Sequence, residues 1–154
     1  MAIAEVTPIP TQPLELIELR NRRRESALVQ MVTSAETAGD VSEAEIVLAA
    51  LSRFHRLAGS AACRGFAVPH VRSAGVLRTR VVYGRSVRGV EWGAEDGQLV
   101  HLVALVLSPS TLGAVTHVER VGAAMHALRL QRTRQRLLEC DPASAASVLQ
   151  GSGA

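Results

Sequence analysis

The sequence predicts an α/β domain in which helices cover both faces of a small mixed β-sheet. The first observation is the order of the hydrophobic patterns. Two segments with helical spacing precede several extended runs, and two more helical segments follow them. The second is composition: apolar residues make up 47% of the chain and aromatic residues only 3%, so the core must consist of aliphatic side chains. The third is a nearly continuous apolar run over residues 99–107, which is typical of a strand covered on both faces.

We expect one domain over residues 14–150, preceded by a flexible arm over residues 1–13. With 154 residues, the chain can bury about two-thirds of the surface that it exposes when unfolded, so it needs no disulfide or metal to fold. The arm contains Pro8, Pro10 and Pro13 and few large apolar side chains. Such a segment has little with which to pack against a core.

Two helices are expected before the first strand. Apolar side chains at helical spacing predict the first helix over residues 23–38, and Gly39 suits the turn that ends it. Ser42 is followed three residues later by Glu45, which is the pattern of a reciprocal helix cap. The apolar stripe of this second helix consists of Val47, Leu51 and Phe54. The second helix is therefore expected to run to about residue 56.

The middle of the chain predicts several short strands. Residues 66–68 are apolar and extended, and we expect this strand to end at Pro69 because proline cannot donate a hydrogen bond to a neighbouring strand. His70 is then expected at the rim of the sheet. A second strand is predicted over residues 78–85, and residues 89–92 add a brief extended segment.

The central strand is predicted over residues 99–107, ended by Ser108 and Pro109. A third long helix follows, because four apolar residues step by three and four positions along it: Val118, Val121, Met125 and Leu128. Asp141 and Pro142 are expected to start a short final helix.

The charge distribution does not favour a nucleic-acid-binding protein. The net charge is only +3, and every basic residue is arginine. The one dense basic cluster, residues 20–24, lacks interleaved aromatic side chains and is flanked by Glu18 and Glu25. We therefore expect no nucleic-acid partner.

The sequence also favours a soluble cytoplasmic protein without a metal or redox centre. It shows no signal peptide and no apolar run long enough to span a membrane, so we expect no membrane insertion. Cys63 and Cys140 fit no metal-binding or redox spacing. His117 and His126 are nine residues apart, whereas zinc ligands on one helix are three or four apart. A hydrolase is not indicated either, because the sequence contains no Gly-x-Ser-x-Gly nucleophile elbow.

Four blocks of sequence resemble one known family. They are AALSR at 49–53, GFAVPHVR at 65–72, GVEWGAEDGQLVHLVALVLSP at 89–109 and THVERVGAAM at 116–125. Together they resemble the fructose–mannitol type enzyme IIA domain of the bacterial phosphotransferase system, including its nitrogen-regulatory branch. The blocks occur in the order of the family and at nearly its spacing, and the resemblance extends from about residue 14 to the last helix.

The resemblance implies three catalytic residues and no cofactor. His70 matches the histidine that accepts a phosphoryl group from a small histidine phosphocarrier protein, and imidazole nitrogen is a competent nucleophile for this. Arg53 matches an arginine that can contact phosphate through two N–H groups. His117 matches a second histidine that can donate a hydrogen bond to the oxygens of the transferring group.

One loop departs from the family pattern. Where the family has a Gly-Ser-Thr-Gly stretch, this chain has AGSAACRG, which is one residue longer and retains Ser60 alone of the Ser-Thr pair. Ser60 and Arg64 are the candidate phosphate-binding residues here, although Arg64 fits an exposed loop position equally well.

Three functional hypotheses follow. The first is a relay protein that passes phosphate from His70 to a IIB partner in sugar transport. The second is a regulatory protein in which phosphorylation of His70 switches binding to a protein target. The third is a degenerate binding module that has kept the fold without the phosphotransfer.

Overall fold

The computed structural model describes residues 15–58 and 62–151, so the expected arm over residues 1–13 lies outside the described residues. The strands are β1 (Glu15–Glu18), β2 (Ala62–Cys63), β3 (Phe66–Ala67), β4 (His70–Ser73), β5 (Arg80–Val90) and β6 (Val100–Pro109). The helices are α1 (Arg24–Thr37), α2 (Ala44–Ala58), α3 (Ala114–Arg129), α4 (Gln131–Glu139) and α5 (Ala145–Gly151), with a 3₁₀ turn at Pro142–Ser144. None of these described helices has the length and apolar character needed to cross a bilayer.

Strand β6 lies in the middle of a six-stranded mixed sheet, as the apolar run predicts. The strand order is β1-β5-β6-β3-β2, and β4 also pairs with β6. Strand β5 is antiparallel to β6, whereas β3 and β4 are parallel to it. Strand β1 pairs in parallel with β5 at the sheet edge, and the sequence patterns did not predict it.

Alternate residues of β6 face two separate cores. One core joins α1 and α2 to the side chains of Val103, Leu105 and Leu107. The other joins α3, α4 and α5 to the side chains of Leu102, Ala104 and Val106. All six of these β6 residues are at most 2% exposed. The prediction of helices on both faces is therefore confirmed, and it explains why this run contains so few polar residues.

Pro69 interrupts a strand rather than ending it, which corrects the prediction. Strand β3 stops at Ala67, and β4 resumes at His70 on the far side of the proline. The backbone continues alongside β6, because Val106 N donates a hydrogen bond of 3.0 Å to the Pro69 carbonyl oxygen. Proline removes one N–H from the ladder but still accepts, so His70 begins a further strand, in which it pairs with Val106 of β6.

Strand β5 includes both extended runs that the sequence separates. Its register with β6 shifts between Arg85 and Val90, so residues 86–89 form a bulge. Gly89 has a φ of +89°, and a Cβ there would come within 2.8 Å of the Leu99 Cβ. Glycine therefore permits both the turn of the bulge and its close contact with residue 99.

Helices α1 and α2 agree with the predicted ranges to within two residues, but Ser42 does not cap α2. The helix begins at Ala44, and the Ser42 hydroxyl instead donates to the Gly75 carbonyl oxygen at 3.3 Å. This hydrogen bond ties the start of α2 to the loop after β4.

The helical segment after β6 is divided into two. Helix α3 ends at Arg129, Leu130 is extended, and α4 was not predicted. Arg134 Nη1 donates to the carbonyl oxygens of Leu128 and Arg129, which satisfies the end of α3. Val118 is 65% exposed, so its assignment to the buried stripe was wrong. The final helix after Pro142 is present as predicted.

A buried carboxylate connects α1 to β5. Asp40, which is fully buried after α1, accepts hydrogen bonds from Arg78 Nε and Arg80 Nη1, both at 2.9 Å. Arg80 also contacts Glu15 of β1 at 2.7 Å. These pairs fix the edge strand β1 and the end of α1 against β5.

Candidate functional site

A pocket of about 460 Å³ lies beside the carboxyl-terminal part of β6, between α2 and α3. Helix α2 contributes Ala50, Arg53 and Phe54, β4 contributes His70, Val71 and Arg72, and Ser110 and His117 come from the segment after β6. The structure thus brings Arg53, His70 and His117 to one pocket from three separate segments.

The backbone fixes the tautomer of His70. Its Nδ1 lies 3.1 Å from the carbonyl oxygen of Val68, which can only accept, so Nδ1 carries the proton. In the neutral ring, Nε2 then holds the lone pair and is the nucleophilic atom. The Phe54 ring packs edge to face against the His70 imidazole, with the two ring centroids 4.7 Å apart. This contact restricts the rotation of the imidazole.

His117 lies beside His70 and is buried. The two ring centroids are 5.6 Å apart, and His117 is 7% exposed. Its Nδ1 lies 2.8 Å from Oγ of Ser108, which is fully buried at the end of β6. Burial lowers the pKa of His117 below its usual value of 6.5, and electrostatic interactions with His70 and Arg72 lower it further. His117 is therefore held in its neutral form near neutral pH.

Two arginines give the pocket its positive charge. The Arg53 side chain is exposed and lines the pocket from α2. Arg72 lines it from β4, and its Nη1 donates to the Leu112 carbonyl oxygen at 2.7 Å. One N–H group of the Arg72 guanidinium is thus bound to the loop before α3. The pocket can accommodate a doubly charged tetrahedral anion between these two groups and the histidines.

Of the two loop residues expected to bind phosphate, only Arg64 can be located in the structure, and it does not line this pocket. Ser60 lies outside the described residues. Arg64 has a φ of +53°, its backbone N–H donates to Asp96 Oδ2 at 2.8 Å, and its side chain does not line the pocket. Arg64 precedes Gly65, which is hydrogen-bonded to His101 near the start of β6. That position is at the opposite end of the strand from Ser108.

The sequence patterns missed four residues that contribute to the pocket. Phe54 was read as part of an apolar core stripe, and Ser108 only as the end of a strand. Ser110 carried no signal. The position of Arg72 could have been inferred, because Arg72 follows His70 by two positions and alternation along a strand puts both side chains on the same face. Among the described residues, no group of three histidine, cysteine or acidic side chains is placed to hold a metal ion, and Cys63 and Cys140 are free thiols.

Two curated relatives match most of the chain. The fructose-specific EIIA component of the phosphotransferase system from Haloferax volcanii is 29% identical over 140 residues, which cover 89% of this chain and 90% of the relative. The fructose-specific EIIABC component from Bacillus subtilis is 27% identical over 138 residues, again 89% of this chain. The chain spans only 21% of the length of that Bacillus protein.

Solved structures share the fold. The nitrogen regulatory protein IIA-Ntr from Neisseria meningitidis superposes with a TM-score of 0.77 at 21% identity, covering 88% of this chain and 92% of that one. Enzyme IIA-mannitol from Escherichia coli, solved in complex with phosphorylated enzyme IIB-mannitol, gives a TM-score of 0.71 at 22% identity, covering 88% and 94%. Residues 13–150 match the family described as phosphoenolpyruvate-dependent sugar phosphotransferase system, EIIA 2. This match covers nearly the whole chain, and the chain therefore belongs to that family of phosphotransferase-system IIA domains.

Proposed function

We propose that this protein accepts a phosphoryl group on Nε2 of His70 and passes it to a protein partner. The observation that carries the proposal is the arrangement of the two histidines. His70 has its Nδ1 proton held by the Val68 carbonyl, and a second neutral imidazole lies 5.6 Å away, centroid to centroid. This arrangement supplies a nucleophile and a hydrogen-bond donor at one phosphate-sized pocket.

The transfer is a direct exchange between two imidazoles. The Nε2 lone pair of His70 attacks the phosphorus of a phosphohistidine on the donor protein, so a new N–P bond forms as the donor's N–P bond breaks. The released electron pair returns to the donor's imidazole, and no proton has to move. The His70 ring becomes more positive as the bond forms, which strengthens the hydrogen bond from Nδ1 to the Val68 carbonyl.

His117 and the two arginines stabilise the transferring group. If the Ser108 hydroxyl donates to His117 Nδ1, then His117 Nε2 carries a proton and can donate it in a hydrogen bond to a phosphoryl oxygen. The Arg53 and Arg72 guanidinium groups can each present two N–H groups to the remaining oxygens. These contacts are strongest when the phosphoryl charge is spread in the transition state.

The proposed donor is a histidine phosphocarrier protein and the proposed acceptor is a IIB partner in sugar transport. A IIA domain of this fold has been solved with its phosphorylated IIB partner, and both curated relatives are named as fructose-specific components. We favour the sugar relay over nitrogen regulation on that ground. The relay would operate in the cytoplasm, where phosphoenolpyruvate is made.

The test is intact-mass measurement at neutral pH after mixing with phosphoenolpyruvate, the general phosphotransferase enzyme and a histidine phosphocarrier. The wild type should gain the mass of one phosphoryl group, and His70→Gln should gain none because the nucleophilic nitrogen is gone. His117→Ala should slow uptake about a hundredfold, as expected for the loss of one donor to the developing charge. Arg53→Lys should also slow it, since an ammonium group lacks the planar fork.

His126→Gln is the matched control, because His126 is exposed on α3 and does not line the pocket. It should be phosphorylated at the wild-type rate. If the wild type gains no mass with its cognate carrier, the relay is contradicted and the degenerate binding module is left. If the wild type is phosphorylated, addition of a IIB protein should remove the phosphoryl group. Retention of the phosphoryl group would argue for the regulatory branch.

A further inference from the structure

A second cleft, of about 400 Å³, lies at the opposite end of the sheet from the His70 pocket. It is lined by Glu18 at the end of β1, by residues 19–22, which follow that strand, and by residues 86–88 in the bulge of β5. The bulge lies between Arg85, which pairs with Leu102, and Val90, which pairs with Val100. His70, in contrast, pairs with Val106 farther along β6. The two cavities are therefore at different ends of the same central strand.

Three arginines line this second cleft: Arg20, Arg22 and Arg88. None of the three forms an ion pair within the described part of the chain. The one acidic residue in the lining, Glu18, already accepts hydrogen bonds from Nε and Nη2 of Arg85. The cleft thus concentrates positive charge in a protein whose net charge is only +3.

The backbone that carries these arginines is fixed on both sides of the cleft. Gln30 of α1 donates to the Glu18 carbonyl oxygen at 2.7 Å and accepts from Arg20 N at 3.1 Å. The carbonyl oxygen of Arg22 accepts from Glu91 N at 2.7 Å. A binding site whose backbone is already ordered loses less conformational entropy when its ligand binds.

The bulge wall is held in the same way. The Ser86 hydroxyl accepts from Gly89 N at 3.0 Å, and the Ser86 carbonyl accepts from His101 Nδ1 at 2.8 Å. Bulges re-aim side chains and are frequent next to functional sites. Here the bulge brings Arg88 to the same cleft as Arg20 and Arg22.

We infer that this cleft binds a compact small-molecule polyanion of the diphosphate class, at a site separate from His70. Three guanidinium groups match a ligand with two phosphate groups, since each group can present paired N–H donors to phosphate oxygens. The cavity has the size of a small-ligand pocket. The lining contains no aromatic side chain on which nucleic-acid bases could stack, which disfavours a single-stranded nucleic acid.

The test is an NMR titration of the ¹⁵N-labelled protein with inorganic pyrophosphate at physiological salt. We expect saturable shift changes centred on the amides of residues 19–22 and 86–88. Arg22→Gln with Arg88→Gln should weaken pyrophosphate binding at least tenfold, and Arg22→Lys with Arg88→Lys should recover part of it. The matched control is Arg129→Gln with Arg132→Gln, two exposed arginines outside the cleft that change the net charge equally. The control should bind as the wild type does.

Four outcomes would overturn the inference. One is the absence of saturable shifts at millimolar pyrophosphate, and another is an equal loss of binding in the control pair. The third is a set of shifts confined to the His70 pocket and abolished by Arg72→Gln. A short single-stranded oligonucleotide that saturates the same amides at lower concentration would instead assign the cleft to nucleic acid. Because phosphorylation of His70 is measured by mass in the same variants, failure at either site can be told apart from failure at the other.

Discussion

Ser108 Oγ lies 2.8 Å from Nδ1 of His117, and both side chains are buried where β6 gives way to α3. The hydroxyl is the group that can keep Nδ1 unprotonated and leave the proton on Nε2, facing the His70 pocket. If the Ser108 hydroxyl donates, the proton of His117 is left on Nε2, from which it could be donated to a phosphoryl group.

Ser108→Ala should allow the His117 proton to occupy Nδ1, because the donor that opposes it is gone. We expect ¹⁵N shifts of the imidazole to report this change of tautomer. Phosphoryl uptake by His70 should slow, but by less than the roughly hundredfold cost of losing a donor entirely. Ser108→Thr keeps the hydroxyl and should restore both readouts. An unchanged tautomer in Ser108→Ala would show that Ser108 accepts from His117 instead.

His117 should titrate below pH 6.5 in the folded protein, as followed by its imidazole proton shifts. Arg72→Gln should raise the pKa of His117, because the arginine charge is one of the causes that lower it. A lowered pKa means that the unfolded chain binds more protons, so the free energy of unfolding should fall as pH drops from 6.5 through the folded pKa. His117→Gln should remove this part of the pH dependence. A His117 pKa above 6.5 would contradict the account of its burial.

Val103→Asp should lower the free energy of unfolding by several kcal/mol, because it would bury an unpaired charge in the centre of the sheet. Val103 is 1% exposed and pairs with Ala67 and Gly84 on its two sides. Val87→Asp is the matched control, since Val87 is 82% exposed, and it should change stability by about 0.5 kcal/mol or less. Equal denaturation midpoints for the two variants would contradict the central placement of β6.

Asp40→Asn should destabilise the protein by about 3 kcal/mol or more, because it removes one of the carboxylates that pair with buried Arg80. Glu25→Gln breaks the ion pair of Glu25 with Arg24, in which the Glu25 side chain is 70% exposed, and should cost at most about 1 kcal/mol. Urea denaturation of both variants provides the comparison. A cost for Asp40→Asn no larger than that for Glu25→Gln would show that the remaining contacts of Arg80, including its ion pair with Glu15, compensate its charge.

The elements predictable from the sequence were those in which burial alone produces a long pattern of apolar residues. The apolar run of β6 reflects burial on both faces, and the stripes of α1 and α2 reflect packing on one. Strand β1 was missed because four residues are too short for alternation to be recognised, and its partner in β5 is far along the chain. The end of α3 was missed because Arg134 satisfies the carbonyl oxygens of Leu128 and Arg129 through its side chain, a contact that apolar spacing does not reveal.

The candidate site was predictable only in part, because the sequence names residues while the fold decides which of them meet. Resemblance to a family identified Arg53, His70 and His117, and the structure brings these to one pocket. It could not show that the backbone N–H of Arg64 donates to Asp96 while its side chain stays out of the pocket, since the loop has a left-handed backbone conformation there. Whether the three residues catalyse phosphoryl transfer stays a prediction.

The pocket takes its walls from both sides of the sheet, with α2 belonging to one core and α3 to the other. An anion held between Arg53 on α2 and His117 on α3 would therefore connect two helices that belong to different cores. We expect bound phosphate to slow amide hydrogen exchange in α2 and α3 together, although the helices share no core. A bound anion would thus couple the unfolding of α2 to that of α3, and the sharpness of the unfolding transition would increase with the fraction of sites occupied.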